Sequence, residues 1–178
     1  MENYAVFLRG INVGGINIKM ADLRAALQEY PFSKVKTLLA SGNVVLQSDL
    51  SAKDVKAQFE KCLRNSFGYD AWVVVLTSKR VAELVDACPY PADEKSTHSY
   101  ITLASDTAML DELFAAGEAL DGLEQTRLGP EASAWLAPAG GTLDSPFSKL
   151  SAKPRYKAST TTRNLRTLIK VRDAASAL

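Results

Sequence analysis

The chain has 178 residues, which allows one domain or two small ones and a core that buries about 70% of the surface exposed on unfolding. Hydrophobic residues at 47% and charged residues at 23% are ordinary globular values and exclude a disordered chain. No stretch approaches about 18 consecutive apolar residues, and Glu2 and Asn3 stand where a leader would be basic, so we expect a cytoplasmic protein without a membrane segment.

The net charge of +1 conceals three segments of different charge. Residues 1–80 carry 11 Lys/Arg and 7 Asp/Glu, residues 81–131 carry 2 and 11, and residues 132–178 carry 8 and 2. A basic C-terminal end can bind an anionic partner such as nucleic acid. The alternative is that the acidic middle and the basic end are solvated or face each other within one fold, and the sequence leaves both interpretations open.

The periodicity of the first eighty residues predicts the order β-α-β-β-α-β. Pro31 ends the first helix, Ser41-Gly42-Asn43 forms a hairpin turn, and Ser51 and Gly68 cap the second helix at its two ends. The predicted elements are strand 4–8, helix 19–30, strands 35–40 and 44–47, helix 51–67 and strand 71–76.

After a helix at 78–88, the same order recurs in a shortened form. The predicted elements are strand 100–104, a helix capped by Asp106, strands 123–128 and 133–137, helix 145–150, an edge strand at 155–158 and a closing helix at 162–174. We therefore predict an α+β fold: two tandem ferredoxin-like (β-α-β-β-α-β) units with antiparallel sheets plus a C-terminal helix. Residues 1–80 form the N-terminal unit, and residues 81–178 form the C-terminal unit with the closing helix.

A glycine-rich polar loop follows the first apolar strand. Its glycines permit positive φ angles, and Arg9 and Asn12 place a cation and an amide where the strand ends; Arg9 can hold a carboxylate or phosphate in a fork. The first two strands of such a unit run parallel with the third between them, so this loop and the 41–43 turn meet at one sheet edge. The alternative is a hairpin turn and a chain reversal without further function. The predicted anion-binding rim comprises Arg9, Asn12, Gly14, Gly15, Ser41, Gly42 and Asn43.

A third candidate motif, Thr160-Thr161-Thr162-Arg163-Asn164, stands at the head of the predicted closing helix. A threonine would cap that helix, whereas a cation in its first turn opposes the helix dipole, so Arg163 needs an anionic partner. That partner is an acidic side chain of the chain itself, such as Asp144 or Asp173, or an external phosphate or carboxylate. We predict that Thr162, Arg163 and Asn164 line one cleft between the two units together with the first rim.

Three motifs resemble, in the same order, the bacterial family known as domain of unknown function 1697. They are Leu8-Arg9-Gly10-Ile11-Asn12-Val13-Gly14-Gly15, Ser41-Gly42-Asn43-Val44-Val45 and Thr161-Thr162-Arg163-Asn164. The resemblance covers essentially the whole chain and implies two ferredoxin-like α/β units without an established biochemical activity. The chain departs from the family at Leu165, where the family usually has an aromatic residue.

Catalytic and metal-binding motifs are absent from the sequence. His98 is the only histidine and has no partner for nucleophilic catalysis, and Cys62 and Cys88 lie on apolar helical stripes as reduced core residues. There is no CxxC, HExxH, EF-hand, P-loop or GxGxxG pattern, so we expect no metal and no cofactor. Strand 44–47 lacks the aromatic platform of an RNA-recognition motif, which leaves phosphate-led binding as the route to nucleic acid.

These observations favour a cytoplasmic binding module for a phosphate- or carboxylate-bearing ligand, nucleic acid included, in a cleft between the two units. One alternative is an enzyme that acts on a small anionic substrate, with Asn12, Ser41 or Asn43 as polar orienting groups. The other is an interaction module that forms a homodimer. The sequence does not identify the ligand or decide whether there is catalysis.

Overall fold

The computed structural model describes residues 1–9, 17–70, 72–141 and 144–178. These residues form two compact units, one of Met1–Ala82 with Lys170–Leu178 and one of Glu83–Ile169. Each unit contains a four-stranded sheet in which all paired strands are antiparallel. The predicted α+β fold of two ferredoxin-like units and a C-terminal helix is confirmed. In the described ranges, no helix has the length and apolar character needed to cross a bilayer.

The first unit has the predicted order of elements and the strand order β2-β3-β1-β4. Ser51 caps the second helix by accepting from the Asp54 N–H at 3.2 Å, and Gly68 ends that helix with a φ of 59°. The elements are β1 (Glu2–Leu8), α1 (Met20–Leu27), β2 (Ser33–Leu38), β3 (Asn43–Ser48), α2 (Ala52–Phe67) and β4 (Val73–Thr77).

The core of the first unit lies between its sheet and its helices. Val6 and Leu8 of β1 pack with Leu23 of α1 and with Phe59 and Leu63 of α2, and all five side chains are fully or almost fully buried. Burial of a side chain of this size stabilises the fold by about 1.5–3 kcal/mol. This packing fixes where β1 ends and therefore where the polar segment after it begins.

The end of the chain contacts the first sheet. Asn3 Nδ2 donates to the Ala175 carbonyl at 2.8 Å, which ties Lys170–Leu178 to β1. The sequence assigned the whole closing helix to a second unit of residues 81–178, whereas the observed division assigns the last residues of that helix to the first unit. The hydrogen bond to Asn3 is one physical reason for this difference.

The second unit repeats the topology with the strand order β6-β7-β5-β8. Asp106 caps α4 as predicted, because its carboxylate accepts from the Ala108 and Met109 N–H groups at 2.9 and 3.3 Å. The remaining elements of the chain are α3 (Ser78–Ala87), β5 (Thr97–Ala104), α4 (Thr107–Glu118), β6 (Gln125–Gly129), β7 (Ala132–Pro138), α5 (Pro146–Ser151), α6 (Pro154–Lys157), β8 (Thr160–Asn164) and α7 (Leu165–Ser176).

Two predictions near the C-terminus are wrong. The expected edge strand at 155–158 is the short helix α6, and the closing helix begins at Leu165 because Thr160–Asn164 forms the strand β8. This strand pairs with β5, where Arg163 lies opposite Ile101. Three consecutive threonines are β-branched and favour a strand, so the strand outcompetes the predicted helix start.

Candidate functional site

The backbone at the end of β1 forms hydrogen bonds on two sides. The Leu8 N–H donates to the Gly42 carbonyl at 2.8 Å, which brings the β2–β3 turn against β1 as the topology predicts. On the other side, the Tyr69 hydroxyl donates to the Arg9 carbonyl. Burial raises the pKa of Tyr69, and the nearby Arg9 charge acts in the opposite direction. The backbone at Arg9 is therefore anchored to the end of the sheet.

The side chain of Arg9 lies over an aromatic ring. Its Cζ is 5.3 Å from the centroid of the Trp72 ring, and Lys56 Nζ is 5.7 Å from the same centroid. The Nε of Arg9 is buried and has no hydrogen-bond partner among the residues that the structure describes. The guanidinium group is thus positioned by the indole while one of its N–H donors lacks an acceptor in that part of the chain.

The charge of Lys56 is paired with Glu60 on the same helix, α2. Lys56 Nζ is 2.7 Å from Glu60 Oε1 and donates to the Val73 carbonyl at 2.5 Å, while the Val73 N–H donates to Glu60 Oε1 at 3.0 Å. The ion pair therefore satisfies both backbone groups that Val73 presents at the open edge of the sheet. Unpaired groups at such an edge can pair with another chain and lead to aggregation. It also fixes the start of β4, next to Trp72.

The hairpin residues of the predicted rim have structural contacts. Asn43 is completely buried, and its Nδ2 donates to the Leu38 carbonyl and to Ser41 Oγ, both at 3.0 Å. Gly42 has a φ of 82°, which glycine adopts without strain. Asn43 and Gly42 thus shape the turn that holds β1. The rim residues Asn12, Gly14 and Gly15 lie outside the described residues.

In the second unit, the prediction of Arg163 as a cation in a first helical turn is wrong. Arg163 lies on β8 and is only 6% exposed; its Nη1 donates to Thr161 Oγ1 at 2.7 Å and to the Thr162 carbonyl at 3.0 Å. Burial lowers the pKa of Arg163 to about 10. The cap of α7 is Asn164, whose Oδ1 accepts from the Arg166 N–H at 2.9 Å.

Thr162 takes part in a buried polar chain within the second unit. Its Oγ1 is 2.9 Å from Thr102 Oγ1, which accepts from Trp135 Nε1 at 3.1 Å. Thr162, Arg163 and Asn164 therefore each make a structural contact in their own unit. Their role as ligand contacts stays a prediction.

The side chains that surround Arg9 were not predicted from the sequence. The sequence predicts only that Trp72 lies in a strand, that Lys56 lies in a helix and that Tyr69 follows the end of that helix. The signal that could have found Trp72 is the antiparallel pairing of β1 with β4, because Leu8 lies opposite Val73 and their neighbours Arg9 and Trp72 then meet. The i,i+4 spacing of Lys56 and Glu60 was visible as well.

The cysteines, the acidic side chains and the cavity of the second unit give weaker support for a functional site than Arg9 does. Cys62 is buried and Cys88 half-buried, both are free thiols, and burial raises the pKa of each. Within the described ranges, no group of three or more His, Cys, Asp or Glu side chains is placed to hold a metal ion. A cavity of about 160 Å³ in the second unit is lined mainly by apolar side chains, among them Leu123, Leu136 and Phe147.

Comparison with known proteins gives a family and a fold. The family model described as protein of unknown function (DUF1697) matches residues 1–132. The solved structure of a conserved bacterial protein from Streptococcus pneumoniae is similar, with a TM-score of 0.80, 22% sequence identity and 98% of each chain covered. At this identity the likeness shows the fold alone. No curated protein matches the sequence significantly.

Proposed function

The chain belongs to the DUF1697 family, whose model covers the first two of the three motifs, and we propose that its first unit binds a phosphate- or carboxylate-bearing ligand through the guanidinium group of Arg9. The observation that carries this proposal is the buried Arg9 Nε, which lacks a hydrogen-bond partner among the described residues. A buried donor without an acceptor costs about 1–3 kcal/mol, and more when the group is charged. An oxygen of an anionic ligand removes that cost.

The surroundings of Arg9 support binding by a preorganised side chain. A cation over a Trp ring is stabilised by about 0.5–2 kcal/mol, so the guanidinium group loses little freedom when a ligand arrives. A guanidinium group offers parallel N–H donors that match two oxygens of a carboxylate or phosphate. Arg9 itself is half-buried, which leaves part of the side chain accessible.

Several predictions made from the sequence are independent of anion binding by Arg9. Nucleic acid as the ligand, a cleft between the two units and ligand contacts from Thr162, Arg163 and Asn164 stay predictions. A cytoplasmic location also stays a prediction, with which the two free thiols are compatible. An enzyme would use the same anion contact and add a general base, whereas a homodimer would not depend on Arg9.

A ligand-dependent thermal shift tests the proposal. A ligand that binds the folded state raises its stability in proportion to the logarithm of ligand concentration over Kd. We expect sodium acetate or inorganic phosphate to stabilise the wild-type protein, at constant ionic strength, and the Arg9→Gln variant to lose that response. Arg24→Gln is the matched control, because Arg24 is an exposed arginine on α1. Equal stabilisation of wild type and Arg9→Gln would overturn the proposal.

A further inference from the structure

The charges around Arg9 indicate which kind of anion the site binds. This inference rests on the proposed function. We infer that the Arg9 site selects an oxyanion with a single negative charge shared by two oxygens, and discriminates against a doubly charged phosphate monoester. Such a group is found in a carboxylate or in a phosphodiester. The inference concerns ligand charge, and it can fail while anion binding by Arg9 holds.

The first step is the charge balance beside Trp72. Arg9 and Lys56 both lie over the Trp72 ring, but Lys56 is paired with Glu60 at 2.7 Å. Glu60 is also fixed by the Val73 N–H, so it cannot leave Lys56 without freeing a backbone donor at the sheet edge. The Lys56 and Glu60 charges cancel, and the charge of Arg9 remains for a ligand.

The second step concerns the neighbouring chain. The segment that follows Arg9, residues 10–16, contains no ionisable side chain. Next to Tyr69 in the chain, the exposed Asp70 forms an ion pair with Arg64, with 3.7 Å between Asp70 Oδ1 and Arg64 Nη1. These two charges therefore balance each other as well. Tyr69 itself is a neutral hydrogen-bond donor to the Arg9 carbonyl. The sequence of residues 10–16 and the described contacts of Tyr69 and Asp70 thus offer no second unpaired positive charge to a dianion.

The third step is the effect of a second negative charge on the ligand. A phosphate monoester carries between about 1.5 and 2 negative charges at pH 7. One of them would pair with Arg9, while the other would lack a counter-charge, because Lys56 is already paired with Glu60. In a partly buried place, where charges are less screened than in water, that lack weakens binding. A singly charged group balances Arg9 and leaves no ligand charge unpaired. Its two oxygens also match the guanidinium fork.

The test compares three small probes that separate charge from shape. Acetate and dimethyl phosphate are monoanions of planar and tetrahedral geometry, and methyl phosphate at pH 7.5 is the dianionic counterpart of dimethyl phosphate. Binding is measured by NMR titration of the full-length protein at constant ionic strength. We expect dimethyl phosphate to bind wild type more tightly than methyl phosphate does. The ranking of acetate against dimethyl phosphate then distinguishes a carboxylate ligand from a phosphodiester.

The Glu60→Gln variant tests the cause of the selectivity. Its amide oxygen still accepts from the Val73 N–H, so the sheet edge is kept while one negative charge is removed. The affinity of methyl phosphate relative to dimethyl phosphate should rise about fivefold, because Lys56 loses its partner and its charge becomes available to the second negative charge of the ligand. Glu29→Gln, which removes an exposed carboxylate of the same unit, should leave the ratio unchanged. Circular dichroism confirms that both variants are folded.

The outcomes separate this inference from the proposed function. If the probes bind wild type but not Arg9→Gln, and methyl phosphate binds most tightly, the anion site stands and the inference on ligand charge is overturned. An unchanged ratio in Glu60→Gln also overturns it. If no probe shows binding that depends on Arg9, the proposed function falls, and the inference falls with it.

Discussion

The guanidinium carbon of Arg9 lies 5.3 Å from the centroid of the Trp72 ring. This relationship follows from strand pairing, because Leu8 at the end of β1 lies opposite Val73 at the start of β4. In an antiparallel pair, the residue after Leu8 meets the residue before Val73. The register of the sheet therefore places Arg9 and Trp72 next to each other at this end of β1.

The Trp72 ring should contribute to anion affinity. Replacement by alanine removes the platform that holds the Arg9 guanidinium group, and we expect the Kd for acetate to rise about three- to tenfold, in line with the strength of a cation–π contact. Trp72→Phe keeps an aromatic face and should give an intermediate Kd. Titration of each variant by NMR measures the change, and equal Kd values for wild type and Trp72→Ala would contradict this role.

Asn43 should matter for stability more than for ligand contact. Its amide donates two hydrogen bonds inside the hairpin and is completely buried, so Asn43→Ala leaves the Leu38 carbonyl without that donor. We expect a loss of about 1–3 kcal/mol in the free energy of unfolding, measured with urea. Asn65→Ala, on the exposed side of α2, should change it by less than about 0.5 kcal/mol. Similar values for the two variants would show that the turn does not depend on Asn43.

Arg163 should behave as a structural residue of the second unit. Arg163→Ala removes a buried donor to Thr161 Oγ1 and the Thr162 carbonyl, and we expect it to cost about 1–3 kcal/mol of stability in the absence of any ligand. Arg155→Ala is the control, since the Arg155–Glu112 pair is exposed and solvent screens its charges, so its loss should change stability little. The prediction fails if urea unfolding shows the two arginines to be equally dispensable.

The two thiols should make stability fall at mildly alkaline pH. Burial raises the pKa of Cys62 and of Cys88 in the folded protein, so the unfolded chain releases these protons first. The unfolded state then binds fewer protons than the native state, and the free energy of unfolding decreases as the pH rises through the thiol range. We expect the decrease between pH 7.5 and 9.5, under reducing conditions, to be smaller in Cys62→Ala. An identical pH slope would mean that the Cys62 thiol does not contribute.

Local features of this fold can be predicted from the sequence, whereas contacts between distant strands cannot. Ser51, Gly68 and Asp106 were recognised because a cap involves residues within one helical turn. The strand β8 was missed because its stability comes from pairing with β5, about sixty residues earlier in the chain. Trp72 was missed for the same reason, since its contact with Arg9 arises from a strand register that composition and periodicity do not reveal.

The central claim is that the Arg9 guanidinium group receives an oxygen of an anionic ligand, and the Arg9 Nε–H resonance tests it most directly. In a ¹H–¹⁵N correlation spectrum, Arg9→Gln assigns that resonance by its disappearance. On titration with acetate at constant ionic strength, the account predicts a saturable downfield shift of the Arg9 Nε–H, while exposed arginines such as Arg24 do not saturate. A resonance of Arg9 that stays in place, or moves no further than that of Arg24, would contradict the account.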